Sequence, residues 1–142
     1  MSSDREGPAA EKIFRLNLQL STETLTEAAP EIEALGLEAK EFFVLDGLEE
    51  RPYPAELAHH LSMPRPTVTL YLKALEGNGL IRRTIDPKDM RRHRLDYTDE
   101  GRETLLQARA VLARIYGARL ARLTTSEQAA FRRLLEKMSG TV

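Results

Sequence analysis

Apolar residues fall at helical spacing over most of the chain and at strand spacing in two short stretches. From Ala9 to about Ala28, Ile13, Leu16, Leu20 and Leu25 line one helical side, widened by Phe14 and Leu18. Pro30 interrupts this pattern, which predicts a kink or a restart, and Gly36 ends the segment as a left-handed cap. A second helix is expected over Glu38 to about Leu48. Phe42, Leu45 and Leu48 recur there at spacings of three, Phe43 and Val44 lie beside them, and Glu38 and Glu41 suit the N-terminal dipole. Pro54 opens a third helix, where its missing N–H costs nothing, and Leu57 and Leu61 give that helix one buried side. Ser62 to Pro64 is a turn. The next helix begins near Arg65 or Pro66 and runs to about Gly77, with Val68, Leu72 and Leu75 facing inward and Tyr71 beside them in the core. Arg65, Thr67, Thr69, Leu70 and Lys73 are left for its outer side, Thr67 partly buried. Gly77, Asn78 and Gly79 stop the helix, because Gly and Asn tolerate positive φ.

Leu80 to Ile85 and His93 to Tyr97 alternate as strands do, and Asp86-Pro87-Lys88-Asp89 between them is turn chemistry, so a hairpin follows. Thr98 is a good N-cap for a long helix reaching about Ala121, lined by Leu105, Leu112 and Ile115 and broadened by Leu106 and Tyr116. Thr124 with Glu127 forms a capping box, and Phe131, Leu134, Leu135 and Met138 mark the last helix. Met1 to Pro8 is polar and expected to fray. There is no internal repeat and no low-complexity segment.

The order helix, turn, helix, Gly stop, basic hairpin is that of a winged helix-turn-helix, which places its second helix in the DNA major groove. The expected architecture is therefore mostly α with a small β-hairpin wing, flanked by N- and C-terminal dimerisation helices. Residues 1–36 would form the N-terminal dimerisation region, 37–98 the DNA-binding unit and 99–142 the long C-terminal helix and a further dimerisation helix, all in one compact domain. The terminal apolar sides (Ile13, Leu16, Leu20; Phe131, Leu134, Leu135, Met138) exceed what so small a domain buries alone, so a homodimer is expected to hold two reading units at a fixed separation.

Composition narrows the class. With 142 residues, 42% hydrophobic and 30% charged, the chain fits one soluble globular domain. No apolar run approaches membrane-spanning length and no secretory signal opens the chain, so the expectation is cytoplasmic with no membrane partner. The absence of Cys excludes disulfides, thiol redox sensing and Cys-ligated zinc. The net charge of −1 says little, but its distribution says more. Arg82, Arg83, Lys88, Arg91, Arg92 and Arg94 stand against only Asp86 and Asp89, a local balance of +4 on a body of −5. Such a patch is a footprint for phosphate, although taken alone it fits a solvated loop equally well.

Catalytic patterns are missing: the chain has no GxSxG, Walker A, HExxH or dinucleotide fingerprint. His59 and His60 diverge on a helix and read as surface or packing residues. His93 lies in the basic wing, where a phosphate contact and a plain strand-face role are equally open. No constellation supports an enzyme, and no cofactor or metal is expected.

Several segments together resemble the MarR family of bacterial winged-helix regulators. They are Leu37-Glu38-Ala39-Lys40-Glu41-Phe42-Phe43-Val44-Leu45, Ala55-Glu56-Leu57-Ala58, Thr67-Val68-Thr69, Leu75-Glu76-Gly77-Asn78-Gly79-Leu80-Ile81-Arg82-Arg83, Asp89-Met90-Arg91 as the family's D-x-R wing pattern, and Tyr97-Thr98-Asp99-Glu100-Gly101 as its L-T-x-x-G. The resemblance covers about residues 10 to 138 and is most specific from wing to helix. It implies an obligate homodimer, double-stranded DNA with a palindromic operator as partner and, often, release by a small anionic or aromatic ligand. The expected function is a sequence-specific transcription repressor; a protein-binding winged helix without sequence-specific DNA recognition is the alternative. Arg65, Thr67, Thr69 and Lys73 would face the major groove or its phosphates, Arg91 the minor groove, and Arg92 and Arg94 the backbone, with Arg82 and Arg83 completing the DNA-binding set. Two recognition helices would sit about 34 Å apart. Two residues depart from the pattern. Met90 stands where a second Arg is frequent, and Leu70 stands where a polar or basic residue is common, so it would either touch thymine methyls or weaken readout. Without Cys or a metal constellation, the family's peroxide and zinc sensors are excluded.

Overall fold

The computed structural model describes residues 3–141, with side chains from residue 9 onward. Eight elements follow in order: α1 (Ser3–Ala34), α2 (Ala39–Gly47), α3 (Pro54–Leu61), α4 (Arg65–Gly77), β1 (Ile81–Ile85), β2 (His93–Tyr97), α5 (Asp99–Leu120) and α6 (Thr125–Ser139). The strands form one antiparallel hairpin, with Ile81 opposite Tyr97 and Ile85 opposite His93. The mostly helical winged helix-turn-helix read from the sequence is the observed architecture.

Two elements differ from their expected limits. Helix α1 already includes Ser3–Pro8, so the expected fraying does not hold there; Met1 and Ser2 lie outside the described residues. The same helix passes through Pro30 without restarting. An interior proline costs about 3 kcal/mol in an isolated helix, but Ala28 and Ile32 on either side of it are both buried, and that packing carries the last turns to Gly36, where φ is +86°. Leu80 belongs to the exit from α4 rather than to β1: its N–H donates to Leu75 O at 3.0 Å and its carbonyl accepts from Thr98 N at 3.1 Å.

The chain divides into two compact units, residues 25–111 and residues 1–24 with 112–142. The first is a packed reading unit. Here α4 lies against α2 and α3 and leads into β1, and Val68, Leu72 and Leu75 of α4 are fully buried beside Leu45 and Leu57, with Tyr71 half-buried. Glu38 sits just outside α2, where its N–H donates to Glu41 Oε1 at 3.1 Å. The start of α5 closes the unit. Thr98 Oγ1 accepts from Gly101 N at 3.0 Å and donates to Gly79 O at 2.6 Å. At Gly101 a Cβ would lie 1.8 Å from Leu80 O, so only glycine allows this approach. Tyr97 donates to Leu45 O at 2.6 Å, and burial pushes its hydroxyl up to about 12. Arg109 binds Asp46 at 2.7 Å and Glu49 at 2.6 Å, which holds the Glu49 carboxyl below its usual range.

In the second unit Ile115 is the only buried hydrophobic residue among those described. Ile13, Phe14, Leu16 and Leu18 of α1 are exposed, as are Leu134, Leu135 and Met138 of α6. Helix α6 is well made in itself: Thr124 Oγ1 accepts from Glu127 N at 3.2 Å and Thr124 N donates to Glu127 Oε1 at 2.9 Å. It nevertheless buries no residue, and a groove of about 620 Å³ lies open between Tyr116, Leu120, Phe131 and Leu135.

Candidate nucleic-acid interface

Helix α3 begins at Pro54, as a proline at the first helical position favours. It ends at Ser62, which takes a left-handed φ of +53°, and Met63 N then donates to Ala58 O at 3.0 Å. This tight reversal aims α4 across α3. Pro64 caps α4 and Pro66 lies in its first turn, which fixes the start of the helix at Arg65. The helix ends where Gly79 adopts φ +75°, so that Leu80 N reaches back to Leu75 O.

Because α4 buries Val68, Leu72 and Leu75, its opposite side is fixed. Leu70 and Lys73 are exposed there, Thr67 and Thr69 are half-buried on its flanks, and Arg65 is exposed as the first residue of the helix. Thr69 Oγ1 donates to Arg65 O at 2.9 Å, which leaves the hydroxyl oxygen still able to accept. Leu70 is 68% exposed, so the helix presents one large apolar side chain among polar and basic ones.

The hairpin places the other candidates. Arg82, Arg83, Arg92 and Arg94 are exposed on its strands and loop. Arg83 pairs with Glu76 at 3.0 Å and Arg94 with Asp96 at 3.3 Å. Asp96 also accepts from Thr84 Oγ1 at 2.8 Å across the strands. Exposed pairs of this kind contribute about 0–1 kcal/mol, so these guanidiniums are held in place yet can turn to a stronger anion. At the tip Arg91 is 93% exposed, with Asp89 Oδ1 accepting from its backbone N at 3.0 Å and its Nε at 3.5 Å.

Sequence reasoning missed a cluster at the base of the wing. Asp86, only 4% exposed, accepts from Tyr53 Oη at 2.7 Å and from Lys88 N at 2.8 Å. The Tyr53 hydroxyl, and after it the Lys88 N–H, hold the Asp86 carboxyl below the usual range; the same bond pushes the Tyr53 hydroxyl up. Arg92 lies 3.7 Å from the Tyr53 ring centroid and pairs with Glu56 at 3.0 Å. The Asp86 turn was legible locally, but no sequence signal joins Tyr53 to a residue 33 positions away. His59 and His60 are exposed, lining a shallow depression with Arg51, Ala55 and Glu56. Among the described residues no three His, Cys, Asp or Glu side chains converge on a metal site.

Residues 37–93 match the MarR family model, a span that runs from two residues before α2 to the first residue of β2. Over 137 residues the chain is 31% identical to the HTH-type transcriptional repressor Rv2887 of Mycobacterium tuberculosis, covering 95% of this chain and 96% of that one. The chain belongs to the MarR family. MarR-family proteins are transcriptional regulators, and this one is not an enzyme. Among solved structures it resembles the M. tuberculosis MarR family protein Rv2887 in complex with p-aminosalicylic acid, at 30% identity and a TM-score of 0.72 over 88% of this chain and 96% of that one. It also resembles the transcriptional repressor CouR bound to a 23-mer DNA duplex, at 29% identity and a TM-score of 0.74 over 98% and 97% of the two chains. No helix among the described residues is long and apolar enough to cross a membrane.

Proposed function

We propose that this MarR-family chain is a homodimeric, sequence-specific DNA-binding repressor that acts in the cytoplasm on a palindromic operator and is modulated by a small anionic aromatic ligand. The observation that carries the reading is that α4 keeps Leu70 and Lys73 exposed opposite its buried side, with Arg65 exposed at its start and Thr69 half-buried between, beside a basic wing. CouR, a relative of similar length, is bound to duplex DNA, which supports the same partner here. Arg65, Thr67, Thr69 and Lys73 would address the major groove, Arg82, Arg83 and Arg94 the backbone, and Arg91 a minor groove; Arg92, expected on the backbone from the sequence, instead lies over Tyr53 and pairs with Glu56. Narrow A·T-rich minor grooves carry enhanced negative potential and favour a guanidinium. Leu70 would cover a thymine methyl, the one apolar group on a major-groove base edge.

The bare apolar sides of the unit built from residues 1–24 and 112–142 support the homodimer, because faces of this kind are stable when a second copy covers them. In the dimer the two α4 helices would sit about 34 Å apart. The p-aminosalicylic acid complex of Rv2887 supports an anionic aromatic effector. Such an effector acts only by binding one dimer geometry better than another.

The test is a titration of the purified protein against duplexes selected from genomic DNA, at two salt concentrations. Arg91→Ala should cost about 1–3 kcal/mol and reduce the salt slope by about one contact per monomer, whereas Arg102→Ala, outside the wing, should change little. Equal affinities and slopes for the two variants would remove Arg91 from the interface. Failure to select any sequence would favour a protein-binding winged helix. Uracil in place of thymine at each operator position in turn should weaken the wild type at one position and leave Leu70→Ala indifferent there.

A further inference from the structure

We propose that Tyr53 and Asp86, clamped by Arg92, form a latch that sets the position from which the wing presents Arg91 to DNA. The inference rests on the proposed DNA-binding function but identifies residues outside the DNA-facing rows. Tyr53 stands immediately before α3, and Asp86 immediately after β1. Asp86 ties three parts of the wing together. One carboxylate oxygen accepts from the Tyr53 hydroxyl on the body at 2.7 Å, and the other accepts from Lys88 N in the turn at 2.8 Å. Its own N–H donates to Arg92 O at 3.0 Å on the returning side. A second hydrogen bond, Leu95 N to Pro52 O at 2.8 Å, fixes β2 to the same segment before α3.

Arg92 completes the latch. Its guanidinium lies over the Tyr53 ring at 3.7 Å and pairs with Glu56 at 3.0 Å. An arginine so placed gains cation–π attraction and an ion pair at once, both directed toward the body of the reading unit. Its neighbour Arg91 is held the other way, 93% exposed, with Asp89 on its backbone and Nε. A guanidinium entering a groove loses rotamer freedom, and a wing free to swing would add its own entropy loss. The latch removes the second cost before DNA arrives. Tyr53 is therefore a positioning residue, and Arg92 serves the wing's attachment.

Tyr53→Phe deletes the hydroxyl and keeps the ring under Arg92. The effect should appear only through Arg91, so the experiment is a double-mutant cycle on a selected operator. Tyr53→Phe should weaken binding about fivefold in the otherwise wild-type protein, and less than about twofold when Arg91 is already Ala. Equal losses in the two backgrounds, or no loss in the first, overturn the proposal. Hydrogen exchange supplies a readout that does not need DNA. The Lys88 and Asp86 amides should exchange faster in Tyr53→Phe while those of α4 keep their wild-type protection; unchanged wing protection overturns the latch whether or not the protein binds an operator. If no DNA is selected by the wild type, the functional reading fails and the exchange result still decides the latch. Asp86→Asn, which keeps the shape and loses the charge, should reproduce both results, and it stands in if Tyr53→Phe does not fold.

Discussion

The two units of this protein use equally regular helices to opposite ends. In residues 25–111 the apolar positions meet one another: Leu45, Leu57, Leu72 and Leu105 are all buried in a single folded body. In residues 1–24 and 112–142 the apolar positions are just as periodic, yet Ile13, Phe14, Leu134 and Met138 remain in the open. The first unit therefore carries its own stability, whereas the second shows amphipathic helices short of something to cover them. Periodicity identifies which side of a helix wants burial; it does not say whether the covering surface belongs to the same chain.

The largest test of this contrast is Gly101→Ala. The new Cβ would meet backbone, 1.8 Å from Leu80 O, and no side-chain rotamer can relieve it. A loss of about 3 kcal/mol or more is expected, at the upper end of overpacking costs, read as a lower urea midpoint at any protein concentration. Leu72→Ala and Leu135→Asp make the contrast direct. Leu72 is fully buried, and its truncation should cost about 2–5 kcal/mol, again independent of concentration. Leu135 is 41% exposed, so Leu135→Asp should leave far-UV helicity unchanged while raising the dissociation concentration of the proposed dimer about tenfold or more. Sedimentation of Leu135→Asp at nanomolar to micromolar concentration checks this, and wild-type association would exclude α6 from the dimer interface.

The smallest expected effect is one of pH, at the cap of α6. Hydrogen bonds from the Thr124 N–H and hydroxyl hold the Glu127 carboxyl below its ordinary 4.5. A carboxyl lowered in the folded state contributes stability that is present above the unfolded value and lost as pH falls through the folded one. Acidification below about 4.5 should therefore loosen α6. Glu127→Gln keeps an acceptor for the cap and removes the titration, so melting followed from pH 6 to pH 3 should lose this component in the variant. An unchanged slope would mean that the cap contributes nothing to the unit's stability.

Local physics made much of this protein legible in its sequence. The limits of α3 and α4 followed from Pro54, from the Ser62–Pro64 turn and from the glycines after Glu76, because backbone restrictions act on the residue that carries them. The inward row Val68, Leu72 and Leu75 followed from the helical repeat, and with it the outward row of the candidate interface. The family motifs pointed to the wing and to α5. Tertiary structure decided the rest. Helix α1 runs through Pro30 with Ala28 and Ile32 fully buried on either side of it, a burial that the local pattern around the proline does not reveal. Leu106 lies on the apolar side of α5 by its spacing yet is 57% exposed, because only packing determines how wide a buried stripe is. The attachment of the wing through Tyr53, Asp86, Arg92 and Glu56 joins residues more than thirty positions apart. In the sequence Tyr53 and Asp86 read as connector and turn residues, Glu56 as part of a helix motif and Arg92 as a DNA contact, and the bond between them exists only once the chain has folded back on itself.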